Sequence, residues 1–413
     1  MDWDSLYCPN PCCHYYGITF NQSWLVRNGS SRGQKQALCG ACGSSVALRY
    51  GTAYFGLDAD SSIYELAFRA LAEGNSIRGT ARIVEIDPET CRDWLERYAH
   101  HCRLVMLYLW RELHLEECQL DELWSFVHTK EANLAAAKRI CQTYGDAWVW
   151  IAFAPLWRMV IAFVVGKRTQ ENANLLLKRV LHVSDGSIPF FTSDQLSAYE
   201  SALLHTYGQW VQPTRNGKRG AQPKPRQVAP SNLLYAQVVK QREKGRVVDV
   251  SYRVVFGSEE HIEQYLKQSP ASQTINTSFV ERDNLTLRQS NRRLTRKTNG
   301  FSKELPWLEK QLWVSLAYYH LVLPHKSLRS ALPEPLATRG KGSEKRWQSV
   351  TPALAKPCPI GLLAAGLTDH VWTTSELLSY RVPVAFLNNL DQIETLFPPF
   401  DDFAPGEPAI AVD

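Results

Sequence analysis

ECQLDELWSFV, within the segment Glu116 to Val127, sets the architecture of the chain's largest part. Its apolar and polar positions alternate, so it reads as a strand with Asp121 in its middle. A carboxylate in such a place is costly unless a cation compensates it. Two more strands follow at Ala147 to Phe153 and Met159 to Val165, joined by a turn at Pro155. The span Ala147 to Val165 is also the strongest membrane candidate in the chain. Pro155 and Arg158 break it into two runs of strand length, however, so it reads as a buried β-hairpin and no membrane is implied. Gln170 to Val183 has helical periodicity around Leu175, Leu176 and Leu177. IPFFTSD is then a short strand whose end sets Asp194 just before the helix QLSAYESALLHTYG. Three strands, a helix, a fourth strand and further helices make an α/β layer with a mixed sheet. Acids converge at the ends of neighbouring strands in such a layer.

A third carboxylate stands at the head of the segment Asn276 to Glu304, NTSFVERDNLTLRQSNRRLTRKTNGFSKE. Asn276 or Thr277 can cap a helix here, and Val280, Leu287 and Leu294 recur at heptad spacing as a narrow apolar stripe. Glu281, Leu285, Arg288 and Arg292 fall on the adjoining stripe. Between Arg282 and Lys303 there are seven Lys or Arg residues and one acid, Asp283. The charge run alone fits a solvated amphipathic helix. Beside Asp121 and Asp194 it reads as a carboxylate carried into a positive surrounding that suits phosphates, with Arg288, Arg292, Arg293, Arg296 and Lys297 as candidate DNA contacts. Two aspartates on adjacent strands and a glutamate on a later helix can bind a pair of Mg2+ (or Mn2+) ions. Such a pair clamps both oxygens of an in-line phosphoryl displacement. Glu122 faces the other side of its strand and is secondary.

At 413 residues and 45% hydrophobic, with 13 Trp, the chain has room for several domains and at least one large core. Its net charge of +5 matters less than the distribution. Basic residues cluster at Arg215 to Arg226 and Arg282 to Lys303, and none follows Arg381, which favours nucleic acid as the partner. MDWDSLYCPNPCC lacks the regions of a secretory signal, so the chain reads as cytoplasmic.

Near the amino terminus CPNPCC, opened by Cys8, and CGAC, opened by Cys39, form two cysteine knuckles with Gly40 and Gly43 in the turns. Four thiolates at such spacing fit one tetrahedral Zn2+. Cys8, Cys39 and Cys42 are ligand candidates; Cys12 and Cys13 compete for the fourth place, and Cys13 is chosen because it spares Cys12 for packing. From Ser61 a helix puts Ile63, Leu66, Ala67, Ala70 and Leu71 on one face, and a second starts at Ser76 with Ile77, Ala81 and Val84. Asp87, Pro88 and Glu89 open a third through Tyr98. The three fit a helix-turn-helix unit whose third helix would enter a major groove with Thr90, Arg92 or Asp93, and equally a bundle that touches nothing.

DELWSFV around Asp121, TSDQLSAY around Asp194 and VERDNLTLRQSNRRLTRKTNGFSKE from Glu281 closely resemble the DDE transposases of the insertion-sequence-one type. The paired knuckles, GTAYFGLDAD and the helices after it resemble the reader that this family places before its catalytic domain, and PHKSLR at Pro324 to Arg329 extends the likeness. The resemblance implies an RNase H-like core with Asp121, Asp194 and Glu281 as triad, Arg288 at the basic position after the glutamate, and two Mg2+ ions. It also implies double-stranded DNA as partner, a homo-oligomer on that DNA, and a nucleoid-associated place in a bacterial or archaeal cell. The expected division is a zinc ribbon at 1–58, a helix-turn-helix with connecting helix at 59–112, an RNase H-like domain at 113–330, and a Pro-rich, acidic, partly disordered extension at 331–413.

Asp194 and Glu281 stand 87 residues apart, further than in compact relatives. The interval contains a basic insertion within 205–270, where Lys218 and Arg219 either track DNA or solubilise a loop. It then contains LLYAQVVKQREKGRVVDVSYRVVFG, a hairpin turning at Lys244 and Gly245; part of the interval must be the fifth core strand, and the rest is an insertion. Three functions compete: end cleavage with strand transfer, DNA binding by an inactive descendant, and hydrolysis alone.

Overall fold

The computed structural model describes residues 2–31, 33–134, 143–213, 222–338, 343–354 and 367–400. They cluster into two compact units, one of residues 2–109, 309–324 and 368–400, the other of residues 110–308 and 325–367.

In the first unit β1 (Leu25–Ser31), β2 (Gln34–Cys39) and β3 (Ser45–Ala47) form an antiparallel sheet. Its core is small: Leu6, Leu25, Ala37, Val46 and Leu48 pack with cysteines. Helices α1 (Ser61–Ala72), α2 (Ile77–Val84) and α3 (Pro88–Leu109) follow. Asp60 accepts from the Ser62 amide and Ser76 from the Gly79 amide, so each cap satisfies a free donor of the first turn. The buried face of α1 is Tyr64, Ala67, Phe68, Leu71 and Ala72, whereas Ile63 and Leu66 are exposed. The expected face is therefore rotated, because the two rings one turn apart pack on Trp94 and Tyr98 and outweigh the smaller aliphatics. Helix α3 does not stop at Tyr98; no Gly or Pro follows there, and Cys102, Val105 and Met106 keep it buried.

In the second unit β4 (Glu117–Val127), β5 (Gly145–Ala154) and β6 (Met159–Gly166) form an antiparallel meander. Helix α4 (Gln170–Val183) returns the chain to β7 (Phe190–Ser193), which lies parallel to β4. After α5 (Ser197–Tyr207) and the separate pair β8 (Gln209–Val211) and β9 (Arg226–Val228), β10 (Tyr235–Glu243) adds parallel to β7. Strand β11 (Arg246–Phe256) closes the edge, turning at Lys244 and Gly245, both at positive φ. The sheet order is β11-β10-β7-β4-β5-β6, a mixed sheet flanked by helices. Helices α6 (Glu259–Gln268) and α7 (Ser278–Ser290) lead to α8 (Leu305–Leu321). Lys218 and Arg219 lie outside the described residues.

Past α8, β12 (His325–Ala337) and β13 (Glu344–Val350) pair as a hairpin that begins within PHKSLR. Residues 368–400, with the capped helix α9 (Thr374–Ser379), belong to the first unit. There Arg381 donates to the carbonyls of Asp2, Leu48 and Tyr50, and the Ala53 amide donates to the Leu378 carbonyl. One buried guanidinium thus satisfies carbonyls that a core this small could not otherwise cover.

Candidate active site

Parallel pairing sets the first two acids together. Glu117, Cys118 and Gln119 of β4 lie opposite Phe190, Phe191 and Thr192 of β7. Continuing that register brings Asp194, one residue past the strand, opposite Asp121 at the usual inter-strand spacing of about 4.8 Å. The Asp121, Glu122 and Asp194 carboxylates each offer an oxygen within 4.8 Å of the others. Asp194 also accepts from the Leu196 amide, which fixes it at the head of α5.

Glu122 is the residue that sequence parity undervalues. It does point to the α4 and α5 side of the sheet, where it accepts from Tyr199 Oη at 2.9 Å and pairs with Arg168. Asp194, however, is at a strand end and open to both faces. Asp121 in turn bends over to accept from the Glu122 amide at 2.9 Å. The side of a strand therefore does not separate these carboxylates. Tyr199 closes the motif TSDQLSAY, whose acid drew the attention, and Arg168 lies in no motif.

Glu281 is not in this group. Its carboxylate accepts from Thr277 Oγ1 at 2.7 Å and pairs with Lys240 of β10. The residue of α7 that does meet Asp121 is Asn284, whose Nδ2 donates to Oδ2 at 2.7 Å. Asn284 is three positions after Glu281, so both lie on one helix face. The helix head is fixed from β4, since Gln119 accepts from the Val280 amide at 3.1 Å and donates to Asn276 Oδ1, which itself accepts from the Ser278 amide. Asn276, not Thr277, supplies the side-chain cap.

Burial, then the charges of Glu122, Asp194 and Glu281, push the Asp121 carboxyl up to about 7. Burial and Asp194 raise Glu122 as well, against the pull of Arg168. In the metal-free chain Asp121 keeps its proton when folded and releases it when unfolded between about pH 4 and pH 7. The unfolded state then binds fewer protons, so stability falls as pH rises through this window. Asp121→Asn is expected to flatten that fall, by at most on the order of 4 kcal/mol at pH 8. Thermal unfolding at several pH values in the presence of a chelator checks it; an unchanged pH profile would contradict it.

Behind Glu281 the cations divide. Helix α7 ends at Ser290, where Asn291 turns the chain and accepts from the Arg293 amide; Arg292 and Leu294 therefore sit in a 3-10 turn and not on the predicted stripe. Val280, Leu287 and Leu294 are buried all the same. Arg288 is turned inward, donating to the Leu294 carbonyl at 2.7 Å and the Trp124 carbonyl at 3.1 Å. Arg293 donates to Ser302, and burial lowers its guanidinium to about 10. Arg292, Arg296 and Lys297 are exposed. Arg288→Ala is expected to destabilise the chain by about 1.5–3 kcal/mol by orphaning two carbonyls. Arg296→Ala should stay within about 0.5 kcal/mol of the parent. Urea unfolding of the two variants distinguishes them, and equal midpoints would refute the inward role of Arg288.

In the first unit Thr90 is half-buried near the start of α3, and Arg92 is exposed but paired with Glu89 and Asp93. The thiols of Cys8, Cys13, Cys39 and Cys42 lie within 4.8 Å of one another and form a group able to hold a metal ion. Cys12 is exposed, so it is excluded by pointing away and not by packing. Burial pushes the Cys8 thiol up. Burial also acts upward on Cys42, but hydrogen bonds with Ser44 and the neighbouring thiols prevail and bring it down to about 6. Among the described residues, no helix is long and apolar enough to cross a membrane.

No family model matches the chain, and no curated protein matches it either.

Proposed function

We propose that the chain is a DNA transposase of the insertion-sequence-one type, which cleaves DNA at element ends and joins the freed 3′-hydroxyls to a target. The observation that carries this reading is the convergence of Asp121, Glu122 and Asp194 at the middle of a mixed sheet. The order third-second-first-fourth-fifth of β6, β5, β4, β7 and β10 supports an RNase H-like core. Hard oxygen donors in a half-buried, mutually repelling set fit Mg2+ or Mn2+ and suit no soft metal. When bound, two such ions supply Lewis acid stabilisation to the attacking and leaving oxygens.

The chain's own groups position this set. Asn284 holds Asp121, while Tyr199 and Arg168 hold Glu122. Glu281 shares the Asn284 face of α7, so a rotamer change that releases Lys240 would turn it toward Asp121 and complete the triad expected from the family. Lys240, once released, offers its ammonium to a phosphate. The four thiols fit Zn2+ in a structural, closed site, and the helices after them would carry the end recognition.

The test supplies the full-length protein with DNA from the flanks of its own gene and Mg2+. Covalent linkage of flank 3′ ends to a target plasmid is the expected result. Hydrolysis without joining would make it a nuclease, and specific binding without either reaction would make it a DNA-binding regulator.

A further inference from the structure

Trp124 and Phe126 occupy alternate positions of β4 and so project from the face that carries Glu122. Their rings are 5.8 Å apart, and Phe301, from the segment after α7, adds a third ring 4.8 Å from Phe126. With residues 293–299 these rings line a cleft of about 400 Å3. Its base is rigid, because Arg288 ties the Trp124 and Leu294 carbonyls together and Ser125 Oγ donates to the Arg293 carbonyl. Its rim is cationic: Lys130 Nζ stands 5.7 Å and 5.9 Å from the Trp124 and Phe126 ring centres, and Lys303 Nζ 4.1 Å from that of Phe301. Exposed Arg296 and Lys297 add two more charges.

From this cleft we infer that the protein holds one unpaired nucleobase of the DNA strand that enters the carboxylate site; the inference rests on the proposed reading as a DNA-processing enzyme. A base has two π faces for a ring ladder, and its own phosphate answers the surrounding ammonium groups. An apolar protein segment seated on the rings would instead leave four or so cations desolvated and unpaired. The volume is at the low end of the range for small-ligand pockets, about 300–1,000 Å3, which suits a single nucleotide and not a duplex. Trp124 is two positions from Glu122 on one strand face, about 7 Å along it. A base seated there is thus within one nucleotide's reach of a phosphate at the carboxylates. Lys130 and Lys303, now over the rings, would swing to the backbone as the base takes their place.

The test compares the full-length protein's affinity for short oligothymidine and for an abasic oligomer of equal length and charge, at one salt concentration. Oligothymidine should bind tighter. Phe301→Ala and Trp124→Ala should weaken it by about 5- to 150-fold, the worth of one stacked base, and leave the abasic oligomer unchanged. As a readout independent of how these variants fold, the parent protein is also photocrosslinked to an oligonucleotide carrying one 5-iodouracil, with attachment at Trp124, Phe126 or Phe301 expected. Equal affinity of the parent for the two oligomers, or crosslinks confined to other residues, would overturn the inference. If base preference and crosslinks are found but the parent never cleaves DNA, the cleft stands and the transposase reading falls. Cleavage without base preference does the reverse.

Discussion

Asp121→Asn or Asp194→Asn is expected to reduce Mg2+-dependent DNA cleavage and joining by about a thousandfold or more, roughly 4 kcal/mol of transition-state stabilisation. Asparagine keeps the shape of the side chain, and at position 121 its one carbonyl oxygen can still accept from Asn284 Nδ2, though no longer also from the Glu122 amide. What is lost is one charge from a set of three close carboxylates that could offer hard oxygen donors to Mg2+. Binding to DNA should persist, because the substitutions leave the exposed cations Arg292, Arg296 and Lys297 untouched. Glu122→Gln and Glu281→Gln then divide two roles. If both carboxylates serve metal ions, each variant loses activity; if Glu281 stays paired with Lys240 during the proposed reaction, its variant keeps most of it. Cleavage of labelled flank DNA at saturating protein reads all four. A fully active Asp121→Asn or Asp194→Asn protein would remove that residue from the site.

The second large effect is expected at the thiols. Cys39→Ser should remove one equivalent of bound Zn2+ per chain and open residues 2–58 to protease, while Cys12→Ser keeps both the metal and the protection. Residue 39 ends β2 and is fully buried, and 12 is exposed. A structural zinc contributes an apparent 10–16 kcal/mol, roughly, to the folding of a small metal-dependent module. The few aliphatic residues packed with the cysteines cannot replace it. The Arg381 contacts with Leu48 and Tyr50 would hold the far end of the module even then, so cleavage should concentrate in the knuckles. Elemental analysis with limited proteolysis checks both, and a Cys39→Ser protein that retains equimolar zinc would contradict the assignment.

Much of the mixed sheet was legible because its signals are local. ECQLDELWSFV alternates, Pro155 and Arg158 split an apolar run, and Lys244-Gly245 supply a tight turn at positive φ. The nearness of Asp121 and Asp194 follows from strand order, since a parallel neighbour ending in an acid has few other places for it. What was not legible depends on side-chain reach and on distant partners. Glu122 joins the acids through a bend of Asp121 and the open end of β7, which period-two parity cannot express. The carboxylate of Glu281 is drawn to Lys240, a residue 41 positions earlier. The phase of α1 was misjudged because Tyr64 and Phe68 find aromatic partners on α3. The inward turn of Arg288 needed the knowledge that α7 stops at Ser290 and brings the Leu294 carbonyl back toward it.

Whether Asp121, Glu122 and Asp194 hold metal ions is read from anomalous diffraction of crystals of the full-length protein soaked in Mn2+. Manganese peaks are expected within coordination distance of the Asp121, Glu122 and Asp194 carboxylates, absent from Asp121→Asn crystals treated alike. Manganese bound only at other places, with these three side chains in their present positions, would contradict it.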